Sequence, residues 1–348
     1  MAGKKKKGGG GHGGLAVNDD LRREIAEALL LGAEPDRLAQ QIAGRGIVHA
    51  LAVSEIERAA KSPYLIGAAR LRARLAKRDW VLANQARLAA GRADAAAAEV
   101  PRLRVGDAMD FFGDFYHAHR PVLLTGLVDH WPAMQRWSLD DFEQRFGDRE
   151  VRVQWDREAD KDYEVNSAAH GTVRRFAEVI ARLRDSRPSN DFYMTANNHD
   201  HNRRALAELW NDVGDIPGIL VAEPGRDGFL WIGPRGTITP WHHDLTNNLL
   251  LQIRGTKRVR LVASHDTPLM RNHRHCFSEW KTGELLPGPA REGRPAVLEC
   301  DIGPGEALFL PVGWWHHVES RDVTIGMSFT NFAADNDFYS HYSSYGLV

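Results

Sequence analysis

The chain has 348 residues, 43% of them hydrophobic and 26% charged, with a formal net charge of −1. That size suits one large globular domain with a smaller companion, and the near-zero charge supplies no global field for nucleic acid or a membrane surface. Two cysteines, Cys276 and Cys300, exclude a multi-disulfide framework or a cysteine-rich zinc site and suit a reducing compartment.

No apolar run reaches the roughly 18 residues of a membrane span. The basic N-terminus runs into glycines rather than an apolar signal core, so a cytoplasmic protein is expected. Residues 1–17, with Lys4 to Lys7 and a glycine run, read as a disordered tail whose lysines are too few for specific affinity.

Residues 18–100 read as a helical docking or dimerisation region and its linker. Leu21, Ile25 and Leu29 share a helix face behind an Asn18 cap, and Pro35-Asp36 opens a second helix with Leu38 and Ile42 inward. Ser54 and Glu57 have capping-box spacing and are expected to start a third helix. Ser62-Pro63 starts a long helix through Ala68, Leu71, Leu75 and Leu82, with Trp80 nearby, and Ala93 to Val100 forms the linker. An array of this size packs on its own chain, on a partner, or on a second copy, which leaves a homodimer through this region or the C-terminus open.

Residues 101–348 change character. A helix is expected around Phe111, Phe112 and Phe115, then a strand from Pro121 to Val128 and a turn at His130-Trp131-Pro132. A capped helix from Ser138 to Phe146 follows, then a strand from Val151 to Trp155, a helix from Thr172 to Leu183 and a strand from Asp191 to Ala196. From Phe229 the pattern is almost all strand: 229–233, 237–244, 247–254, 257–263, 296–301, 306–310, 314–319 and 323–332, divided by Gly/Pro turns. Short strands at regular spacing predict a mainly β, double-sheet barrel, the cupin jelly roll, behind an N-terminal helical region.

Two strands of that barrel carry the chemistry. His242 and Asp244 are two apart, so on a strand both point into one cavity while His243 faces away. His316, on a later strand, supplies a second imidazole, with His317 on the other face. Two imidazoles and a carboxylate make the facial triad of non-haem Fe(II) sites, which leaves coordination positions open. Lys257, on the strand between, can grip a carboxylate as a point charge. The His199/His201 and His273/His275/Cys276 groupings lie in polar stretches without a matching second cluster, and solvated loops are expected there.

These stretches resemble the JmjC/cupin-8 family of Fe(II)- and 2-oxoglutarate-dependent oxygenases, and within it the asparaginyl hydroxylase that acts on hypoxia-inducible factor. The family's Thr-Pro-x-His-x-Asp appears as Thr239-Pro240-Trp241-His242-His243-Asp244, its Asn and Lys as Asn248 and Lys257, and its later block as Gly305-Glu306, Pro311 and Trp315-His316. The resemblance covers residues 103–335. It implies iron held by His242, Asp244 and His316, with O2 and 2-oxoglutarate as co-substrates. The far carboxylate of 2-oxoglutarate would then meet Lys257, Thr239 and Tyr193, with Asn248 near the metal and either Ser328 or Asn331 as a further polar contact.

The expected activity is hydroxylation of a side chain in a protein or peptide. A methyl-lysine demethylase uses the same centre, and Trp231, Trp241 and Trp314 could form an aromatic mouth for methylammonium. A metal-binding cupin scaffold without turnover is the remaining alternative, against which Lys257 weighs.

Overall fold

The computed structural model describes residues 17–91, 99–105, 110–185, 187–196, 199–222, 228–272 and 274–342. The chain divides into two compact units, Met1–Asn84 and Gln85–Val348. The basic tail up to residue 16 and the linker from 92 to 98 lie outside the described residues.

The first unit holds α1 (Asp19–Leu30), α2 (Pro35–Gly44), α3 (His49–Ala60) and most of α4 (Pro63–Ala90). Asn18 Oδ1 accepts the Leu21 amide at 2.9 Å, capping α1 as its position suggested. Leu21, Ile25, Leu38, Ala39, Ile42, Ile47, Ala52 and Ile56 form a small core. The Ser54/Glu57 capping box is not used. Helix α3 starts five residues before Ser54, at His49, because Ile47, Ala52 and Ile56 must all reach the core, and Ser54 sits inside the helix. Packing overrides a local cap signal here.

The second unit opens with β1 (Arg102–Arg104), a π-helical turn at Phe112–Tyr116, β2 (Val122–Thr125), α5 (Pro132–Arg136) and α6 (Leu139–Phe146). Ser138 caps α6 through the Asp141 amide at 3.1 Å. A three-stranded sheet, in the order β4-β3-β5, comprises β3 (Glu150–Trp155), β4 (Gly171–Arg175) and β5 (Phe192–Tyr193). The helix expected from Thr172 begins only at Phe176, as α7 (Phe176–Leu183). Thr172 and Val173 instead pair with Val153 and Arg152, where β-branched side chains fit a ladder better than a helix. The expected solvated loop at His199/His201 is a short helix, α8 (His199–Ala205), and Nε2 of His201 lies 3.0 Å from the Glu150 carbonyl oxygen.

Eight further strands build the barrel: β6 (Phe229–Gly233), β7 (Ile238–His243), β8 (Asn248–Arg254), β9 (Lys257–Val262), β10 (Leu298–Ile302), β11 (Ala307–Leu310), β12 (Trp315–Ser320) and β13 (Thr324–Phe329). One sheet runs β1-β2-β11-β8-β13-β6 and the facing sheet β10-β9-β12-β7, which is the cupin jelly roll. Between them Leu123, Leu250, Leu308 and Leu310 meet Val259, Leu261, Ile302 and Val318. The other face of the six-stranded sheet, through Leu249, Leu251, Ile253, Phe309 and Met327, is buried against α5, α6 and α7 with Trp137, Phe142 and Phe176. Burial on both faces explains why β8 reads as a near-continuous apolar run.

The β8–β9 turn depends on Gly255. Its φ is +70°, and a Cβ there would lie 2.2 Å from the Val323 carbonyl oxygen. That tight turn sets the parity of β9, so Lys257 starts the strand pointing inward.

Candidate metal centre

β7 and β12 are antiparallel neighbours, with His316 directly opposite His242 and Trp315 opposite His243. The alternation expected from sequence holds on both strands. His242 and His316 turn into the barrel, their ring centroids 4.1 Å apart. His243 packs edge-on against Trp315 at 4.7 Å, and His317 sits 3.0 Å from Thr282 Oγ1, beneath Trp241.

Nδ1 of His242 lies 2.8 Å from the Pro240 carbonyl oxygen, and Nδ1 of His316 lies 3.0 Å from that of Trp314. A carbonyl can only accept, so each Nδ1 carries a proton, and in the neutral ring Nε2 is the nitrogen that presents a lone pair. Burial, and next the His316 ring, push His242 down to about 4, which keeps it neutral at physiological pH. Asp244 completes the group, with Oδ1 3.8 Å from His242 Nε2 and Oδ2 3.9 Å from His316 Nε2. Those separations are too long for hydrogen bonds, and the three donor atoms all lie within 4.8 Å of one another. Burial opposes the Asp244 charge, but the His316 and His242 rings and the Asn248 amide outweigh it and hold the carboxyl below its ordinary value. Two lone pairs and a carboxylate converging without a proton between them form a site for a cation.

Asn248 Nδ2 donates to Asp244 Oδ2 at 3.1 Å, while its Oδ1 is buried without a hydrogen-bond partner. An orphaned acceptor beside such a cluster calls for a donor, and a water or ligand group at the site would supply one.

The triad lines a cavity of about 60 Å3 together with Tyr193, Trp231, Thr239, Asn248, Lys257 and the apolar Leu250, Leu310 and Val318. All seven residues singled out from sequence therefore meet in one space. Lys257 is 1% exposed, and Nζ donates to the Tyr193 hydroxyl at 3.1 Å. Its ammonium is 5.7 Å from the Tyr193 ring centre and 5.9 Å from that of Trp231. No carboxylate pairs with it among the described residues, and burial lowers its pKa to about 8. The same burial raises the Tyr193 phenol.

Other expectations are narrowed. Ser328 accepts from Trp231 Nε1 at 2.8 Å, so it reaches the cavity only through that ring, and Asn331 Nδ2 is spent on the Val221 carbonyl. The three-tryptophan mouth is not formed. Trp231 lines the cavity, but Trp241 is buried on the outer face with Val262, Trp280 and Trp315, and Trp314 donates to the His119 carbonyl. Sequence reasoning missed Arg157, whose guanidinium is fully buried 5.3 Å from the Tyr193 ring centre and 4.4 Å from that of Tyr163. Nη2 of Arg157 donates to Glu164 at 2.7 Å and to the Ile238 carbonyl at 3.0 Å. In sequence it sits within Asp156-Arg157-Glu158, which looks like a surface turn, and no local signal marks it as buried.

The family described as cupin-like domain matches residues 108–337. Among curated relatives, lysine-specific demethylase 8 of Xenopus tropicalis is 26% identical over 242 residues, 66% of this chain and 52% of that protein. Jumonji C domain-containing protein 5 of Drosophila melanogaster is 27% identical over 250 residues, covering 66% and 59%. tRNA wybutosine-synthesizing protein 5 of Homo sapiens is 23% identical over 267 residues, covering 71% and 82%. The chain thus spans little more than half the length of the first two. None of these relatives carries the narrower likeness to an asparaginyl hydroxylase.

Proposed function

The chain belongs to the cupin-like domain family, and from that premise we propose that it is an Fe(II)- and 2-oxoglutarate-dependent oxygenase that hydroxylates a side chain of a protein or peptide. One observation carries this reading. A single cavity is lined both by the converging His242/Asp244/His316 cluster and by a buried ammonium lacking a carboxylate, Lys257. A cation and a dianion with a metal-chelating end would satisfy both together.

In this assignment His242 and His316 hold iron through Nε2 and Asp244 through a carboxylate oxygen. The backbone carbonyls of Pro240 and Trp314 lock both imidazoles in the ligating tautomer. Asn248 steers the carboxylate from the side. Lys257, with the Tyr193 hydroxyl and Thr239, receives the far carboxylate of 2-oxoglutarate. Leu250, Leu310 and Val318 line the same cavity and exclude water from it, which strengthens both electrostatic contacts. When bound, iron and 2-oxoglutarate supply O2 activation and oxygen insertion into a C–H bond. The residues of this chain bind, orient and desolvate.

A second reading, demethylation of methyl-lysine, is supported by the names of four of the relatives, each a lysine-specific demethylase. Against it, the one tryptophan lining the cavity faces the Lys257 ammonium, and no second tryptophan stands beside it to cage a methylammonium. The test is to incubate the iron-loaded protein with 2-oxoglutarate, O2 and a peptide library, following succinate and product masses. Peptide-stimulated succinate with gain of one oxygen supports hydroxylation. Release of formaldehyde with loss of a methyl group supports demethylation, and iron-loaded protein that forms no succinate with or without peptide sinks both.

A further inference from the structure

The near-neutral net charge conceals a local segregation of charge on α4. Arg70, Arg74, Lys77 and Arg78 lie at i, i+4, i+7 and i+8, a spacing that puts all four on one face of the helix. Every residue from Ala69 to Val81 is exposed, and α4 buries none of its residues. No ion pair forms at any of the four among the described residues. In the same unit Arg22, Arg23, Arg45, Arg58 and Lys61 each face a carboxylate. The only acid on α4 is Asp79. Trp80, 66% exposed, lies three residues beyond Lys77 and so flanks the cationic stripe.

We propose that this face of α4 docks a single-stranded nucleic acid, with phosphates along the cationic stripe and a base stacked on Trp80. A stripe of uncompensated cations beside an exposed aromatic ring is the arrangement such strands bind without sequence preference. An anionic membrane fits less well. A helix lying in a membrane needs a sharply segregated apolar face, whereas Arg72 and Asp79 interrupt the side carrying Leu71, Leu75 and Leu82. A second copy fits less well again, because it would bring two like-charged stripes together with one aspartate each to offset them.

The experiment uses the full chain and a fluorescein-labelled, mixed-sequence RNA of about 20 nucleotides, read by anisotropy. Four neutralised phosphates predict binding that weakens roughly fiftyfold between about 50 and 200 mM salt. The fourfold variant Arg70→Gln, Arg74→Gln, Lys77→Gln, Arg78→Gln should abolish that dependence and most of the binding. Trp80→Ala should weaken it about tenfold or more. Circular dichroism checks that each variant keeps its helices, as exposed substitutions should. The proposal is overturned by wild-type binding in the fourfold variant, which would place the contact in the lysine tail or elsewhere. It is equally overturned if vesicles of phosphatidylserine and phosphatidylcholine bind and RNA does not, or if light scattering shows a dimer that the variant disrupts.

Discussion

His242 and His316 sit opposite each other across the β7–β12 ladder, and each ring's Nδ1 donates to a backbone carbonyl two residues back, which leaves Nε2 as the lone-pair nitrogen of the neutral ring. Bare lone pairs held together in a buried cavity repel unless a cation lies between them. The same backbone geometry that pairs the strands therefore also prepares the ligands.

The first expected outcome concerns metal content. The protein should bind one Fe(II) per chain, with His242→Ala and Asp244→Ala losing it and His243→Ala retaining it. His243 is turned onto Trp315 and contributes no donor. Metal analysis of the three variants checks this, and an empty His243→Ala beside a full His242→Ala would reverse the strand parity.

Lys257 should lower stability for the sake of binding. Its fall from the ordinary 10.5 to about 8 corresponds to about 3 kcal/mol against the charged folded state. The sign follows from proton counts: between pH 8 and 10.5 the unfolded chain holds a proton that the folded chain has lost, so stability rises with pH there. Lys257→Met should therefore stabilise the co-substrate-free protein at pH 7, with the gain shrinking above pH 8. Urea denaturation at pH 7 and pH 9.5 tests this, and a destabilised variant at pH 7 would mean the ammonium is not in dry surroundings. In the wild type, affinity for 2-oxoglutarate should also decline above about pH 8 as the ammonium deprotonates.

Arg157 should matter more than its place in the sequence suggests. Arg157→Ala removes the bond to the Ile238 carbonyl and leaves Glu164, 2.7 Å away, without its buried partner. Breaking such a pair costs roughly 3–5 kcal/mol. Lys at this position keeps the charge but not the planar guanidinium that lies against the Tyr163 and Tyr193 rings, so it should recover only part of the loss. A denaturation midpoint equal to wild type for the alanine variant would show the pair to be dispensable.

A chain beginning at Glu99 should keep iron and 2-oxoglutarate binding. Every proposed ligand lies in the second unit, and Glu99 itself forms a parallel bridge to Glu299 of β10. A folded truncation without metal would tie the helices to the site.

Much of this was legible from the chain. The Gly/Pro turns and alternating apolar positions locate all eight barrel strands to within about three residues, since one buried face fixes strand parity. The same parity separates His242 from His243 and His316 from His317. What escaped were features decided by distant partners. Arg157 is buried because Tyr163, Glu164 and the β7 backbone close over it. Thr172 joins a strand because β3 is there to pair with it. The Ser54 cap is lost because the core needs Ile47 and Ala52 in place. The β3 and β7 backbones that decide two of these cases lie outside any local window of sequence.

The most direct test of the account is calorimetric titration of 2-oxoglutarate into the anaerobic iron-loaded protein, wild type against Lys257→Ala. Removing a buried ammonium from a buried carboxylate costs about 3–5 kcal/mol, so affinity should fall about a hundredfold or more while iron content is unchanged. Equal affinity in the two proteins would contradict the account and leave a metal-binding cupin with no anchored co-substrate.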